Sequence, residues 1–191
     1  MKKIFCLLVL AIALPLHAQE WSLAPKVGLN LSDMSGDYFS GGIKAGVNAG
    51  LSVEHRFSTL FALEPGVFYS MQGLKDKEDD MVRKNDFINI PILAKFYIKN
   101  GFNVFAGPQV GVNISEKVVY TGEGGAEFTM KTDDIMPVDV SLMVGIGYQF
   151  KAGLLLSTNY NIGLSDSADN SGDTPARNRV FQFNIGWRLN L

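Results

Sequence analysis

Apolar and polar residues alternate one for one through most of this chain, and a period of two is the signature of β-strands with one apolar face. The first such segment sets Trp21, Leu23, Pro25, Val27, Leu29 and Leu31 against Ser22, Ala24, Lys26, Gly28 and Asn30. The second opposes Ile43, Ala45, Val47, Ala49, Leu51 and Val53 to Lys44, Gly46, Asn48, Gly50, Ser52 and Glu54. Six more segments repeat the rule: Phe61–Gln72, Phe87–Lys99, Phe102–Ile114, Val138–Phe150, Leu154–Gly163 and Phe181–Leu191. Of these Leu154–Gly163 alternates least clearly. Eight strands are predicted.

Most segments run for about ten residues or more, the length a tilted strand needs to cross a bilayer. Strands of soluble proteins are nearer five or six residues. The connections alternate in length. Short ones fall at Phe57–Thr59, Asn100–Gly101 and Lys151–Gly153, and long ones at Ser32–Gly41, Gly73–Asp86, Ser115–Met136 and Ser165–Arg179. Short periplasmic turns and long outer loops are how outer-membrane barrels are built. The pattern predicts an all-β fold, an eight-stranded antiparallel up-and-down transmembrane β-barrel with both termini on the periplasmic side.

A soluble, lipocalin-like periplasmic binding barrel also alternates, with its apolar face inward. Three features favour the membrane. Ten strand glycines (Gly28, Gly46, Gly50, Gly66, Gly107, Gly111, Gly145, Gly147, Gly163 and Gly186) all lie on the polar faces, as a narrow lumen requires. Those faces carry Asn, Gln, Ser and a few charges of both signs: Lys26, Lys44, Glu54, Arg56, Glu64, Lys95, Asp139 and Arg188. Buried charges must be paired, so these are expected to form a network that plugs the lumen. Trp21, Phe57, Phe61, Phe102, Tyr148, Phe150 and Trp187 crowd the short-turn end of the apolar faces, as an interfacial girdle would. Pro25, Pro65, Pro91 and Pro108 fit less easily, because each removes a ladder donor; bulges or local breaks are expected there.

The N-terminus changes the domain picture. Lys2 and Lys3, the apolar run Ile4–Leu14 and the small Ala18 read as a cleaved signal peptide over residues 1–18, leaving a barrel domain over 19–191. The only cysteine, Cys6, lies in that leader, so the mature chain is expected to hold no disulfide and no reactive thiol. A formal net charge of -2 gives no reason to invoke nucleic acid.

The stretch Phe87-Ile-Asn-Ile-Pro-Ile-Leu-Ala-Lys-Phe96, with Phe105-Ala-Gly-Pro-Gln-Val-Gly111, Tyr160-Asn-Ile-Gly-Leu-Ser-Asp166 and the closing Gly186-Trp187-Arg188, resembles the PorT-like outer-membrane β-barrel family of the Bacteroidetes, Gram-negative bacteria. The resemblance covers essentially the whole mature chain. It implies a simple outer-membrane barrel and fixes no activity; the family takes its name from a member linked to protein secretion. Leu191 departs from the aromatic ending of many outer-membrane barrels.

Candidate chemistry is sparse. The mature chain has one histidine, His55, on an apolar face beside a short turn, where an interfacial polar residue is the simplest reading. Asp133 and Asp134 are adjacent loop acids, and Ser165–Asp173 offers calcium-type oxygens without the spacing of a calcium loop. Lys75–Asp80 reads as a solvated loop tip, and Gly122–Gly125 lacks the lysine and strand-helix context of a phosphate loop. No catalytic, cofactor-binding or metal residue is assigned, no cofactor is expected, and the chain is read as not an enzyme. Expected partners are outer-membrane lipid, the barrel-insertion machinery during biogenesis, and an envelope or extracellular protein met through the four long loops. A small-solute channel or a transport or secretion accessory is the alternative, although Phe68, Phe87, Leu93, Tyr97 and Phe105 on the inward faces would fill an eight-stranded lumen.

Overall fold

The structure, a computed structural model, describes residues 20–35, 41–76, 81–121, 127–131, 138–165 and 177–191. The expected signal peptide, Asp133 and Asp134, Gly122–Gly125 and all of Ser165–Asp173 except Ser165 lie outside them. Among the described residues ten strands form one antiparallel sheet: β1 (Glu20–Ser35), β2 (Gly41–Arg56), β3 (Phe61–Asp76), β4 (Met81–Lys99), β5 (Phe102–Thr121), β6 (Glu127–Lys131), β7 (Val138–Gln149), β8 (Leu154–Gly163), β9 (Arg177–Trp187) and β10 (Leu189–Asn190). The sheet order is β10-β1-β2-β3-β4-β5-β7-β8-β9, and β1 also pairs with β9. That last pairing, from Lys26↔Gly186 to Ser35↔Arg177, closes the sheet into the expected eight-stranded barrel. β10 continues β9 along β1, while β6 is a short extra strand on β5.

The faces are as the alternation predicts. Val27, Leu29, Val47, Leu51, Ile90, Ile92, Ile146 and Ile185 are exposed on the outside, whereas Asn30, Ser32, Asn48, Ser52, Ser70 and Asn89 are buried within. An apolar exterior around a polar interior belongs in lipid, where the closed ladder satisfies every spanning strand without a free edge. A lipocalin-like barrel needs the opposite arrangement, so the soluble alternative fails.

Two expectations need correction. The long connections shrink, because β3 and β4 pair out to Asp76↔Met81 and β5 reaches Thr121. Beyond the bilayer both faces of a strand meet water, so period-two patterning fades while the backbone ladder continues. The prolines, for which bulges or breaks were open, prove to be breaks. Pro65 borders, and Pro91 lies in, a gap between Pro65↔Ile92 and Phe68↔Asn89; Pro108 lies in a gap between Pro91↔Gln109 and Ala94↔Ala106. Pro25 lies in another, between Leu23↔Leu189 and Lys26↔Gly186. Register is unchanged across all three gaps: a missing N–H deletes ladder bonds without inserting a residue. The register shifts occur elsewhere, between Ile43 and Asn48, Asp86 and Phe87, and Tyr97 and Lys99.

The short turns fall where expected. Asn100 and Gly101 both have positive φ, 54° and 89°, the backbone of a two-residue hairpin turn that matches strand twist. Gly101→Ala should cost about 1–2 kcal/mol, since an L side chain is strained at that φ. Urea unfolding of the refolded barrel checks it, and a loss no larger than that of an exposed control substitution would contradict the turn geometry.

Candidate functional site

Inward-facing side chains fill the lumen in layers. Nearest the short-turn end is a charged layer. The Lys95 ammonium donates to Glu54 at 2.7 Å and to Glu64 at 2.8 Å, and Lys26 pairs with the other oxygen of Glu64. Arg56 donates to Glu54 at 3.0 Å and to Gln149 Oε1 at 3.1 Å, with its guanidinium 4.0 Å from the centre of the Tyr97 ring. The Tyr97 hydroxyl donates to Glu54 at 2.6 Å. Strand parity explains the meeting: these residues hold inward positions at one level of β1, β2, β3, β4 and β7.

Five of the eight charges expected in the lumen thus form one network. The other three stand apart. Lys44 donates to the Gln72 carbonyl at 3.0 Å, Asp139 accepts from the Ser165 hydroxyl at 3.2 Å, and Arg188 lines the short-turn mouth. Sequence reasoning treated Tyr97 as apolar filling and did not single out Gln149. Parity with Glu54 was the available signal for both.

The next layer is built of neutral amides. Asn30 donates to Ser70 Oγ and the Met71 carbonyl, each at 2.9 Å, and accepts from Asn48 at 2.7 Å and Gln182 at 2.8 Å. Gln182 accepts from Asn159 at 2.8 Å, and Asn159 from Asn184 at 3.0 Å. The belt therefore runs from β3 across β2, β1 and β9 to β8. On the opposite wall Leu93, Phe105 and Met143 form an apolar cluster. Between these layers remains a cavity of about 50 Å³, lined in part by Lys26, Glu64, Lys95 and Phe68. A cavity of that size holds a few water molecules.

Glycines make the filling possible. A Cβ on Gly28 would overlap the Asn184 side chain and the Phe183 carbonyl, and one on Gly145 would stand 2.5 Å from the end of the Phe105 ring. Towards the long-loop end Met34, Leu74 and Phe87 form a second apolar cluster, and Arg83 bonds Glu116 at 3.0 Å.

The remaining sequence candidates stay dispersed. His55 sits on the lipid face, stacked on Trp21 with ring centroids 4.1 Å apart and edge-on to Phe57 at 4.4 Å. It is a member of the aromatic girdle, which continues through Phe57–Phe61 and Tyr148–Phe150. Among the described residues no group of three or more His, Cys, Asp or Glu could hold a metal.

Comparison with known proteins gives the geometry a family. No curated protein sequence matches the chain. Among solved structures, the crystal structure of Ail, the attachment invasion locus protein of Yersinia pestis, superposes with a TM-score of 0.52 at 14% identity, covering 89% of this chain and 99% of that one. Ail in a phospholipid bilayer nanodisc gives 0.50 at 13%, covering 90% and 99%. The Neisserial surface protein A structure gives 0.49 at 13%, covering 89% and 96%. The model of the outer membrane protein beta-barrel domain matches residues 17–169, and the chain, with its lipid-facing apolar exterior and filled polar lumen, belongs to that family of outer-membrane proteins.

Proposed function

We propose that this barrel is a plugged structural and recognition scaffold, without enzymatic activity, that meets an envelope or extracellular protein through its outer loops. The observation that carries the reading is the side-chain filling of the lumen: among the described residues the charged layer, the amide belt and the Leu93–Phe105–Met143 cluster surround a cavity of about 50 Å³. With passage closed, the surfaces left for work are the two ends, and loops on a rigid scaffold carry recognition. Ail, named for attachment and invasion and crystallised with the heparin analogue sucrose octasulfate, has the same architecture.

In planar bilayers the purified protein should show no steady conductance above the lipid background; a large, stable pore would sink the plug. Deleting residues 122–137, the connection between β5 and β7, should change what the barrel captures from native envelope, and unchanged capture after deletion of each of the four outer connections in turn would defeat the recognition role.

The PorT-like resemblance of Phe87–Phe96 and Phe105–Gly111 supports a second reading, an accessory to transport or secretion in a Bacteroidetes outer membrane. Co-purification with secretion components would favour it. In either role the leader over residues 1–18 directs export and the insertion machinery assembles the barrel. N-terminal sequencing of the membrane form should then begin at Gln19.

A further inference from the structure

The short-turn mouth is a bowl of about 1150 Å³ lined by four cations, Arg56, Lys99, Lys151 and Arg188, with no acidic residue in its wall. Backbone bonds hold these positions together: Gln149 N–H donates to the Gly101 carbonyl at 2.9 Å and Arg188 N–H to the Gly153 carbonyl at 2.7 Å. Among the described residues Lys99, Lys151 and Arg188 have no carboxylate within ion-pair distance; only Arg56 does, through Glu54. Arg56 Nε is buried and lacks an acceptor. Four cations with one carboxylate among them give the mouth a positive field that complements an anionic ligand.

The rest of the wall says what kind. Leu60, Ile98, Tyr148 and Phe150 also line the bowl and are exposed on the girdle. Tyr148 is shared with an apolar furrow of about 630 Å³ in the outer wall, floored by small residues such as Gly28 and Ser157 and flanked by Phe102, Ile146, Leu156 and Phe183. A cationic bowl and a lipid-facing apolar furrow that share Tyr148 fit an amphiphile, whereas a free anion would use only the bowl. In outer-membrane barrels the short-turn end faces the periplasm, at the level of the inner leaflet.

We propose that the short-turn mouth binds an anionic phospholipid of the inner leaflet, its phosphate held by Lys99, Lys151, Arg188 and Arg56 and an acyl chain lying past Tyr148 in the furrow. The site anchors the barrel at a set depth and selects its neighbouring lipid. Nothing in this assignment depends on what the outer loops recognise.

The chain's two tryptophans, Trp21 and Trp187, both lie at this end, so the protein reports on its own site. The full barrel is refolded into phosphatidylcholine vesicles, and tryptophan quenching by brominated phosphatidylglycerol is compared with quenching by brominated phosphatidylcholine. The wild type should prefer the anionic lipid. Lys99→Gln/Lys151→Gln/Arg188→Gln should lower that preference by about a hundredfold, since each cation near an anionic lipid surface contributes roughly a factor of several. Lys84→Gln/Lys117→Gln at the opposite end should leave it unchanged.

If the triple variant does not fold, Lys99→Gln alone and wild type in high salt replace it, and both should weaken the preference. Equal quenching by the two lipids in the wild type overturns the proposal. So does a preference that survives loss of the three cations. Displacement of the lipid by millimolar inorganic phosphate would make the bowl a site for soluble anions and overturn it too.

Discussion

Glu64→Gln should destabilise the barrel by about 3–5 kcal/mol, the usual loss when one partner of a buried ion pair is removed. Glu64 is the carboxylate on which two ammonium groups converge, Lys26 on one oxygen and Lys95 on the other at 2.8 Å. Without its charge Lys95 keeps Glu54, but Lys26, enclosed in the lumen, loses its only ion-pair partner among the described residues. Both ammoniums then repel across a medium of low dielectric. Urea unfolding in lipid vesicles, followed by gel mobility of folded and unfolded forms, measures the loss. The companion variant Lys26→Met/Glu64→Leu removes the pair together and should regain more than half of it, because an apolar replacement of a whole buried pair is close to neutral. A loss below about 1 kcal/mol for Glu64→Gln would show that water reaches this layer freely, and the plug would lose its main support.

Leu29→Arg should cost about 2–4 kcal/mol, the penalty for a cation on the lipid face of a barrel near mid-bilayer. Leu29 is 60% exposed on the outer wall, between Val47 of β2 and Phe183 of β9. Trp21→Arg, eight residues nearer the interface on the same face, should cost only about 0–1 kcal/mol beyond its lost ring contacts. The difference between the two, measured by urea titration in the same vesicles, tests burial in lipid directly. Equal costs at both depths would mean that the apolar wall faces something other than a bilayer.

How much of this was legible in the sequence varies with depth in the membrane. Within the bilayer one side of each strand meets lipid and the other a narrow polar lumen, so Val27, Leu29 and Leu31 against Gly28 and Asn30 state both strand and orientation. Above the bilayer that contrast disappears. Lys75, Asp76, Arg83 and Lys84 read as loop although Lys75↔Val82 and Gly73↔Lys84 are paired in β3 and β4. The charged layer was half legible. Parity put Lys26, Glu54, Arg56, Glu64 and Lys95 inside, but which charges share a level depends on register between strands, and register is not written in any single strand. The basic mouth was hidden for a related reason: Lys99, Lys151 and Arg188 come from three separate stretches that only the closed ring brings to one rim. The prolines were visible as an anomaly, and telling a break from a bulge required the partner strand.

Ring closure also sets how the barrel is made. Apart from the short β1–β10 pairing that extends the same seam, every other wall pairing joins strands that follow one another along the chain, with the β6 excursion between β5 and β7. The pairing of β1 with β9 instead joins Lys26 to Gly186, nearly the full length of the polypeptide apart. Contacts so remote in sequence are slow to form, and they form last. Until the final strand arrives the sheet has two raw borders, each a row of unsatisfied amides able to recruit another molecule. A chain stopped before Arg177 therefore has no way to finish, and its fate is to stack with its own kind rather than to enter the bilayer.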